Sequence, residues 1–555
     1  MIGKALIVVL LAVVVYQTLQ IQEYKQQLDK SVGINSSRNT EQVSSKTIIH
    51  DEKSKAENTD STIPYSTFTA KHYDSILNIL GGDQSRLFST KFGPKDDNQT
   101  LTVEKYTIDA SHFHRGKADV VVFPTSNEEV SKIMALCVNE RIPIVAQGTL
   151  TGLEGGAVPY EGGVALNLRL MRSVIRIYEE DLQVQVQVGI KKSELNEYLE
   201  KQGLMFAVDP GSDSSIGGQL STGASGTLSI AHGTIRENVI QLKVVLPDEQ
   251  GTIITTKSRA LKSSTGFDLT HLFVGSEGLL GIIVEATLKI IAKPSKVLAS
   301  RVIFNTISEA AKTVIEIKSR GVSQMARCEL INKYGIMAVN KLFNRTYETK
   351  PTLFFEFHGS DEASLKVSST IVQEIAQKHN GYGYLATTDE NEQKEVWHAR
   401  RNVYYAAFRL KEGKKGDVKL YVTDVCVPIS KLAQIIEVSE KEIVEFNEKQ
   451  ANAGNFTLPP AIVGHVADGN FHFMIPYLDS NKQELEAILK FNDELVQRAI
   501  QLEGTCSGEH GVGIGKQGGL SIEHSPEAVE LMRTIKKAID KNQVLNRGKV
   551  FPCCD

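Results

Sequence analysis

The sequence predicts an α+β protein of two domains, preceded by an apolar N-terminal helix. The chain has 555 residues, which is too long for one simple hydrophobic core. Its first half alternates strand and helix patterns with glycine-rich loops. Beyond Pro294, helix and strand patterns continue to about Gln501 with few glycines. This change of pattern predicts a second domain that begins near residue 296.

The composition excludes some classes of protein. The formal net charge is -4 and no long Lys/Arg run is present, so we expect no nucleic-acid partner. The six cysteines show neither the density of a disulfide scaffold nor a CxxC metal spacing. Cys506 lies close to Glu509 and His510 in the sequence, so it could be a nucleophile. We expect it instead to be a small packing residue in a Gly-rich turn, because the spacing does not support a Cys-His pair.

The N-terminus predicts a membrane anchor. Ala5 to Tyr16 is an uninterrupted apolar run that extends from Ile2 to Leu19 if Lys4 snorkels, about the length of a minimal span. A cleaved signal peptide would need a small-x-small cleavage site after this run, and none follows. A mitochondrial transit helix is disfavoured because the first arginine of the chain is Arg38. We therefore expect an uncleaved single-pass anchor over residues 1–20, followed by a polar tether over residues 21–64.

The first structured unit reads as strand, helix, strand. Val120 to Phe123 is a buried strand, and Ser126 with Glu129 forms a capping box before a helix with apolar residues at helical spacing. Ile142 to Ala146 is the next strand. The loop from Gln147 to Gly156 follows, and it is rich in glycine.

Two further glycine-rich tracts follow this loop. A half-buried strand near Leu182 to Val188 and a helix over Ser193 to Gln202 precede the second tract, Asp209 to Gly226. The third, Gly275 to Gly278, leads into a strand over Ile282 to Ile290. Each tract alone could be a tight turn, but together they predict a long anionic ligand lying across several loops. No tract has the order of a GxGxxG turn or of a P-loop.

The stretch GHVADGNFHF places His465 and His472 on either side of an Asp468-Gly469 turn signal. A hairpin there would bring both imidazoles to one side, as a two-histidine metal clamp requires. Glu509 in GTCSGEHGVGIGK could complete a His2Glu site for Zn2+ or Mn2+, with the adjacent His510 free for proton transfer. The alternative is that the two histidines are hydrogen-bonded core residues.

The chain resembles the FAD-dependent oxidoreductases of the vanillyl-alcohol oxidase type, and within them the cytochrome-linked D-lactate dehydrogenases. The resemblance covers roughly residues 106–551. It runs in order through FPTSNEEV, GTLTGLEGG, GLMFAVDPGSDSSIGG, GASGT, HGTIRENV, LPDEQG, VGSEGLLGIIVEATL, TDVCVP, GHVADGNFH, GTCSGEHGVGIGK and LNRGKVF.

The resemblance implies an FAD-binding domain of two subdomains over residues 65–295, a mixed α/β substrate or cap domain with a metal site over residues 296–515, and a C-terminal segment over residues 516–555 that returns to the FAD domain. The GTLTGLEGG loop has neither histidine nor cysteine, so we expect a non-covalently held FAD. The residues implied to contact it are Pro124, Gly148, Thr149, Gly152, Glu154, Gly155, Asp209, Pro210, Ser215, Gly218, Ser225, Gly233, Thr234, Glu277, Gly278 and Ile283.

The same resemblance implies a divalent metal on His465, His472 and Glu509, and His510 as the base. It also implies Arg400 as the residue that binds the substrate carboxylate, with Arg401 the adjacent alternative. A metal would help because an alcohol proton is too weakly acidic for a neutral imidazole, and coordination lowers the hydroxyl pKa.

The predicted activity is oxidation of a D-2-hydroxy acid, with electrons passed to cytochrome c or a quinone at a mitochondrial or bacterial inner membrane. Met474 and Val422 are apolar where relatives acting on a dicarboxylate carry polar residues, which favours D-lactate over D-2-hydroxyglutarate. A metallohydrolase would leave the glycine tracts unexplained, and a non-catalytic tethered binding protein is the remaining alternative.

Overall fold

The computed structural model describes residues 64–94, 97–322, 324–414 and 416–552, all of which belong to one compact unit over residues 55–555. The predicted anchor over residues 1–20 and nearly all of the tether over residues 21–64 lie outside the described residues. Among the helices that are described, none has the length and apolar character needed to span a bilayer.

Helices occur throughout the described chain. In chain order they are α1 Ala70–Ile79, α2 Asp97–Lys105, α3 Asn127–Asn139, α4 Lys192–Glu200, α5 Ile216–Thr222, α6 Ser229–His232, α7 Ile235–Asn238, α8 Leu269–Phe273, α9 Ile307–Ser319, α10 Lys333–Phe343, α11 Glu362–Lys378, α12 Glu390–Ala407, α13 Leu432–Asn452, α14 Lys482–Gln501, α15 Gln517–Glu523 and α16 Pro526–Ile539.

The strands form two small sheets, one large sheet and a two-stranded pair. In chain order they are β1 Leu87–Phe88, β2 Val120–Val122, β3 Ile144–Gln147, β4 Val164–Asn167, β5 Val174–Tyr178, β6 Gln183–Gln187, β7 Leu204–Met205, β8 Val239–Val245, β9 Ile253–Thr255, β10 Ile282–Lys289, β11 Ile291–Ala292, β12 Lys296–Ile303, β13 Met325–Ile331, β14 Thr352–Gly359, β15 Tyr382–Thr387, β16 Val418–Val422, β17 Val425–Cys426, β18 Ala461–His465 and β19 Asn470–Leu478.

The first half of the chain builds two sheets that carry the glycine-rich loops. One has the strand order β1-β2-β4-β3, with β2 and β3 both parallel to β4, and the other has the order β5-β6-β10-β8-β9. The first tract begins at the end of β3, and the third tract leads directly into β10. The first tract therefore leaves the carboxyl end of a parallel strand, the end at which open α/β sheets usually bind ligands, and the third tract leads into a central strand.

The second half builds one eight-stranded sheet with the order β15-β12-β14-β13-β18-β19-β16, and β17 pairs with β19 beside it. Strand β18 connects to β19 through a tight turn, and helix α12 packs against β12 and β14. The central strands β14, β13, β18 and β19 are mostly apolar and buried, so the few polar side chains within them need partners.

Element positions agree with the sequence patterns, but some ends differ. The helix expected over Ser193 to Gln202 is α4, Lys192–Glu200. The strand expected from Leu182 begins one residue later, at Gln183, because the backbone of Leu182 is left-handed, with φ 50°. Ser126 caps α3 by accepting the Glu129 amide at 3.2 Å. The reciprocal half of the capping box does not form, because the Glu129 carboxylate instead accepts from the Thr125 amide and pairs with Arg86.

The end of the chain returns to the first sheet. Leu545 forms a parallel bridge with Ile144, and the Asn546 amide donates to the backbone carbonyls of Gly156 and Glu277. The side chain of Asn546 therefore connects the first glycine tract to the third.

Candidate active site

A cavity of about 690 Å³ is lined by all three glycine-rich tracts and by side chains from the eight-stranded sheet and from α12. The glycine tracts contribute backbone and small side chains. The sheet and the helix contribute His465, His472, Arg400 and Arg401, and the loop after α14 contributes Glu509 and His510. Residues separated by several hundred positions in the sequence thus meet in one space.

The two histidines lie on one face of the β18–β19 hairpin. Asp468 and Gly469 form its turn, with the Asp468 amide donating to the His465 carbonyl at 2.9 Å and Gly469 at φ 83°. His465 pairs in register with Asn470, so His472 is its diagonal neighbour two residues along β19. The two ring centroids are 5.8 Å apart. The hairpin interpretation of the sequence is confirmed.

Each histidine ring is oriented by an acceptor behind it. His472 Nδ1 lies 2.8 Å from the Thr423 carbonyl, and His465 Nδ1 lies 2.8 Å from the Glu329 carboxylate. A carbonyl can only accept, so His472 Nδ1 carries the hydrogen, and an ionised carboxylate requires the same of His465. Both Nε2 atoms consequently point away from these acceptors and toward the cavity.

Both Nε2 atoms approach the same oxygen of Glu509. Glu509 Oε1 is 3.5 Å from His465 Nε2 and 3.2 Å from His472 Nε2, and the three ligand atoms lie within 4.8 Å of one another. Two imidazole lone pairs facing a carboxylate repel unless a cation lies among them. A His2Glu set is a known ligand set for a catalytic divalent ion, and outer acceptors on Nδ1 are typical of such ligands. These residues therefore fit a divalent metal.

The local electrostatics favour a positive charge at this position. Burial would lower the pKa of His465, but Glu329 and Glu509 outweigh burial and hold it well above its ordinary value. Burial would raise the pKa of Glu509, but His465 and His472 hold it well below its ordinary value. A second cluster, Asp424 with His472 and His510, fits a metal less well, because His472 Nδ1 already donates to Thr423.

His510 lies beside this cluster. Its ring stacks on His472 with centroids 5.1 Å apart and an interplanar angle of 11°. Burial lowers the pKa of His510 to about 4, so the imidazole is neutral at pH 7 and can accept a proton. Its Nδ1 is buried and has no hydrogen-bond partner among the described residues, with Glu154 Oε1 3.9 Å away and Asp424 Oδ2 4.0 Å away.

The loop that carries Glu509 and His510 is held by Asp424. One oxygen of this fully buried carboxylate accepts both backbone amides at 3.0 Å and the Lys516 ammonium at 3.0 Å. Lys516 also lies 3.5 Å from Glu154 of the first glycine tract. Burial raises the pKa of Glu154 to about 8, against the opposing effect of Lys516.

Arg400 lines the cavity and is fixed by an ion pair. Its Nε and Nη2 atoms lie 2.8 and 2.7 Å from Glu329 Oε2. Arg401 also lines the cavity, but it forms no ion pair within the described part of the chain. Arg400, the arginine implied by the resemblance, is therefore held close to His465 through their shared contact with Glu329.

Most of the residues expected to contact FAD face this cavity. Those that line it are Gly148, Thr149, Gly152, Glu154, Asp209, Pro210, Ser215, Gly218, Glu277, Gly278 and Ile283. The cradle is tight where strands and loops meet: a Cβ on Gly148 would lie 2.3 Å from Ser215 Oγ. Glu277, held at φ 49°, accepts the amides of Val512 and Gly513 at 2.7 and 2.9 Å and so links the third tract to the histidine loop.

Five expected FAD residues do not line the cavity, namely Pro124, Gly155, Ser225, Gly233 and Thr234. The Ser225 hydroxyl donates to Glu509 Oε2 at 2.8 Å and so contacts the cluster of His465, His472 and Glu509 from outside. Thr234 caps the short helix α7 through its own hydroxyl. The side chains of both residues are thus engaged within the protein.

One wall of the cavity is apolar. Val422 of β16 and Met474 of β19 are paired directly in register, and both line the cavity with Val463. The three side chains of this wall are uncharged, and among the described arginines that line the cavity Arg401 is the one without an ion pair.

Sequence reasoning did not single out Glu329, Asp424 or Lys516. Glu329 and Asp424 are 1% and 0% exposed, and Lys516 is 5% exposed. A usable signal exists: Glu329 is a lone acid in the apolar strand MARCELI, and Asp424 a lone acid in the apolar stretch TDVCVP. Because an isolated buried charge is costly, such an acid predicts a specific partner.

Two family models match the chain: "FAD binding domain" over residues 118–257 and "FAD linked oxidases, C-terminal domain" over residues 293–550. A probable mitochondrial D-lactate dehydrogenase of Danio rerio is 40% identical over 451 residues, which are 81% of this chain and 87% of the relative. This chain belongs to the FAD-linked oxidases.

Another member of this family, the mitochondrial D-lactate dehydrogenase [cytochrome] of Arabidopsis thaliana, is 41% identical over 434 residues, 78% of this chain and 73% of the relative. A solved structure of a 4-ethylphenol oxidase from Gulosibacter chungangensis superposes with a TM-score of 0.67 at 16% identity, covering 88% of this chain and 99% of that chain. At this identity the likeness concerns the fold alone.

The family assignment confirms several predictions. The resemblance to the FAD-linked oxidases, the α+β fold with an FAD-binding domain of this type, and the dependence on FAD are confirmed. Membership in this family excludes a metallohydrolase without flavin, whereas contact between the glycine tracts and the flavin stays a prediction.

Proposed function

We propose that this chain oxidises a D-2-hydroxy acid, D-lactate to pyruvate in the first instance, with FAD as the electron acceptor. The observation that carries the proposal is that His465, His472, Glu509 and His510 line the same cavity as the glycine-rich flavin tracts. The relatives named D-lactate dehydrogenase, which this chain matches over most of its length, support the choice of acid.

We propose that His465, His472 and Glu509 bind one divalent ion, Zn2+ or Mn2+. The ion would supply Lewis acidity, lowering the pKa of a hydroxyl group bound beside it. The protein's part is orientation: Thr423 and Glu329 direct the two Nε2 atoms, and Ser225 holds the second oxygen of Glu509.

His510 acts as the base that accepts the substrate hydroxyl proton. It is neutral at pH 7 because burial holds its pKa near 4, and its ring lies against His472. Asp424 fixes its backbone by accepting its amide hydrogen at 3.0 Å. A base placed within reach of the hydroxyl contributes about 10²- to 10⁴-fold to the rate of such a step.

Arg400 binds the substrate carboxylate. The guanidinium is fixed by Glu329 and lies in the cavity wall, where its other edge can donate to a substrate carboxylate in bidentate fashion. Val422 and Met474 provide an apolar wall suited to a methyl group. This wall supports D-lactate, whereas D-2-hydroxyglutarate or another D-2-hydroxy acid is the alternative substrate.

FAD supplies the hydride acceptor when it is bound. The chain holds it through the backbone and small side chains of the three tracts. We expect non-covalent binding, because among the described residues His465, His472 and His510 are the only histidines in the cavity wall and no cysteine lines it.

We further propose a division into an FAD domain over residues 65–295, a substrate domain over residues 296–515 and a returning segment over residues 516–555. The break at residue 296 coincides with the first strand of the eight-stranded sheet.

The N-terminal apolar run over residues 1–20 is proposed to anchor the enzyme in a mitochondrial or bacterial inner membrane, with cytochrome c or a quinone as electron acceptor. The names of the mitochondrial relatives support this destination.

An anaerobic absorbance titration of the purified yellow protein tests the proposal. We expect bleaching of the flavin band by D-lactate, little effect of L-lactate, and weak or no bleaching by D-2-hydroxyglutarate. Faster bleaching by D-2-hydroxyglutarate would select the alternative substrate. A bound flavin that no D-2-hydroxy acid reduces would refute the proposed activity and favour a non-catalytic binding protein.

A further inference from the structure

Glu329 lies in the middle of the eight-stranded sheet, on strand β13, and its side chain is 1% exposed. Burial of an ionised carboxylate is costly unless the charge is paired and hydrogen-bonded. Both oxygens of Glu329 are engaged, and both partners belong to the candidate active site.

The two oxygens divide between two parts of the site. Oε1 lies 2.8 Å from Nδ1 of His465, one of the proposed metal ligands. Oε2 lies 2.8 Å from Nε and 2.7 Å from Nη2 of Arg400, the proposed carboxylate anchor. One rigid, planar group of two oxygens therefore joins the metal subsite to the carboxylate subsite.

The contact also determines which edge of Arg400 faces the cavity. A guanidinium has five N–H donors in a fixed plane, and Glu329 takes the edge formed by Nε and Nη2. The outer edge, formed by Nη1 and the second hydrogen of Nη2, remains for a ligand. That edge can bind a carboxylate in bidentate fashion, and Arg400 lines the cavity.

We propose that Glu329 is a positioning residue that sets the separation between the metal and carboxylate subsites and thereby selects acids with the hydroxyl on the carbon next to the carboxylate. The inference rests on the proposed function of His465 and Arg400. A 3-hydroxy acid carries its hydroxyl one carbon further from the carboxylate, so it needs the two subsites further apart. Linkage through a single carboxylate permits no such adjustment.

Two substitutions separate this role from a merely structural one. Glu329→Gln keeps the shape but removes the charge and one acceptor, so it cannot accept from both His465 and Arg400 as the carboxylate does. Glu329→Asp keeps the charge but is shorter by one methylene, so it cannot reach both partners at their present distances. The matched control is Glu484→Gln, because Glu484 is also 1% exposed and paired, with Lys411 at 2.8 Å, and it does not line the cavity.

The measurements are flavin absorbance, metal content, and kcat and KM for D-lactate and D-3-hydroxybutyrate. For Glu329→Gln we expect flavin to be retained and the KM for D-lactate to rise about 10- to 100-fold, the usual size of effect for a group behind a metal ligand. For Glu329→Asp we expect the ratio of kcat/KM for D-lactate to that for D-3-hydroxybutyrate to fall at least about tenfold. Glu484→Gln should change neither quantity.

The proposal is overturned if KM and the substrate ratio stay unchanged in both variants, or if their activity falls only in proportion to lost metal. Loss of flavin from both variants would assign Glu329 a folding role and would overturn it too. Failure of the proposed function is distinguishable, because the unmodified enzyme would then not reduce its flavin with D-lactate at all.

Discussion

Replacement of Asp424 by Asn should destabilise the protein and loosen the loop that carries Glu509 and His510. One Asp424 oxygen accepts from Ser507 Oγ, from the amides of Glu509 and His510 and from Lys516, at 3.0 to 3.1 Å, and the other accepts from Asn470 at 2.8 Å. An amide cannot replace the charge or accept at both ends. Lys516, only 5% exposed, would keep a single carboxylate neighbour, Glu154 at 3.5 Å.

The magnitude follows from the burial of both partners. Breaking a buried ion pair by removing one member costs about 3 to 5 kcal/mol, because the remaining charge stays uncompensated. This is a large part of the roughly 5 to 15 kcal/mol by which folded proteins are stable. We therefore expect a fall of about 3 kcal/mol or more in the free energy of unfolding for Asp424→Asn.

Urea denaturation followed by flavin fluorescence measures this change, and a double-mutant cycle isolates the pair. Lys516→Met alone should also destabilise, since it leaves Asp424 buried without its cation. The double variant should lose less than the sum of the two, with a coupling of about 2 kcal/mol. Additive effects, or an Asp424→Asn variant as stable as its parent, would refute this reasoning.

Three further predictions concern the substrate and the pH dependence. Arg400→Lys should raise the KM for D-lactate about tenfold or more, because a lysine cannot keep both the Glu329 contact and a bidentate contact to the substrate carboxylate. An unchanged KM in steady-state assays would contradict the role of Arg400. Val422→Lys should raise kcat/KM for D-2-hydroxyglutarate relative to D-lactate about tenfold by adding a cation to the apolar wall, whereas Val418→Lys on the same strand, outside the cavity, should not. Burial would raise the pKa of Glu356, but His358 and Arg327 outweigh it and hold the pKa below its ordinary value, so its contribution to stability is present above about pH 4.5 and is lost as the pH falls further. The stability difference between the parent and Glu356→Gln, measured by thermal melting, should therefore stay constant from pH 7 to about pH 5 and shrink below about pH 4.5, and parallel curves below that pH would contradict this.

Local signals in the sequence were sufficient for the histidine hairpin and for the positions of the glycine-rich loops. An Asp-Gly turn between apolar strands has few structural solutions, and the observed hairpin places His465 and His472 on one face. Glycine-rich tracts at strand ends predicted a ligand, and the described tracts line one cavity. The interactions that determine the hairpin lie within about ten residues of one another, whereas the three tracts are brought together only by the fold.

The residues that the sequence did not indicate act over long separations. Glu329 reaches His465 across 136 positions, and Asp424 reaches His510 across 86. Ser225 was expected at FAD, yet its hydroxyl donates to Glu509 across 284 positions. Periodicity and turn chemistry carry no information on such pairs, since these contacts depend on how the large sheet packs against the flavin loops.

The same limit applies to the capping box at α3. The spacing of Ser126 and Glu129 predicted reciprocal bonds, and the Ser126 half is present. Glu129 instead pairs with Arg86, 43 positions earlier, at 2.8 Å. A tertiary ion pair is stronger here than the local bond, so the helix begins where the sequence indicates but is secured differently.

The central claim is that the His465, His472 and Glu509 cluster and His510 together remove the substrate hydroxyl proton beside the flavin. Stopped-flow measurement of flavin reduction by D-lactate, without oxygen, tests it in the parent enzyme, in enzyme dialysed against a chelator, and in His510→Ala. The account predicts that all three retain flavin, that chelation abolishes reduction until Zn2+ or Mn2+ is returned, and that His510→Ala slows reduction about 10²- to 10⁴-fold. Reduction at the parent rate in either the chelated enzyme or the His510→Ala variant would contradict it.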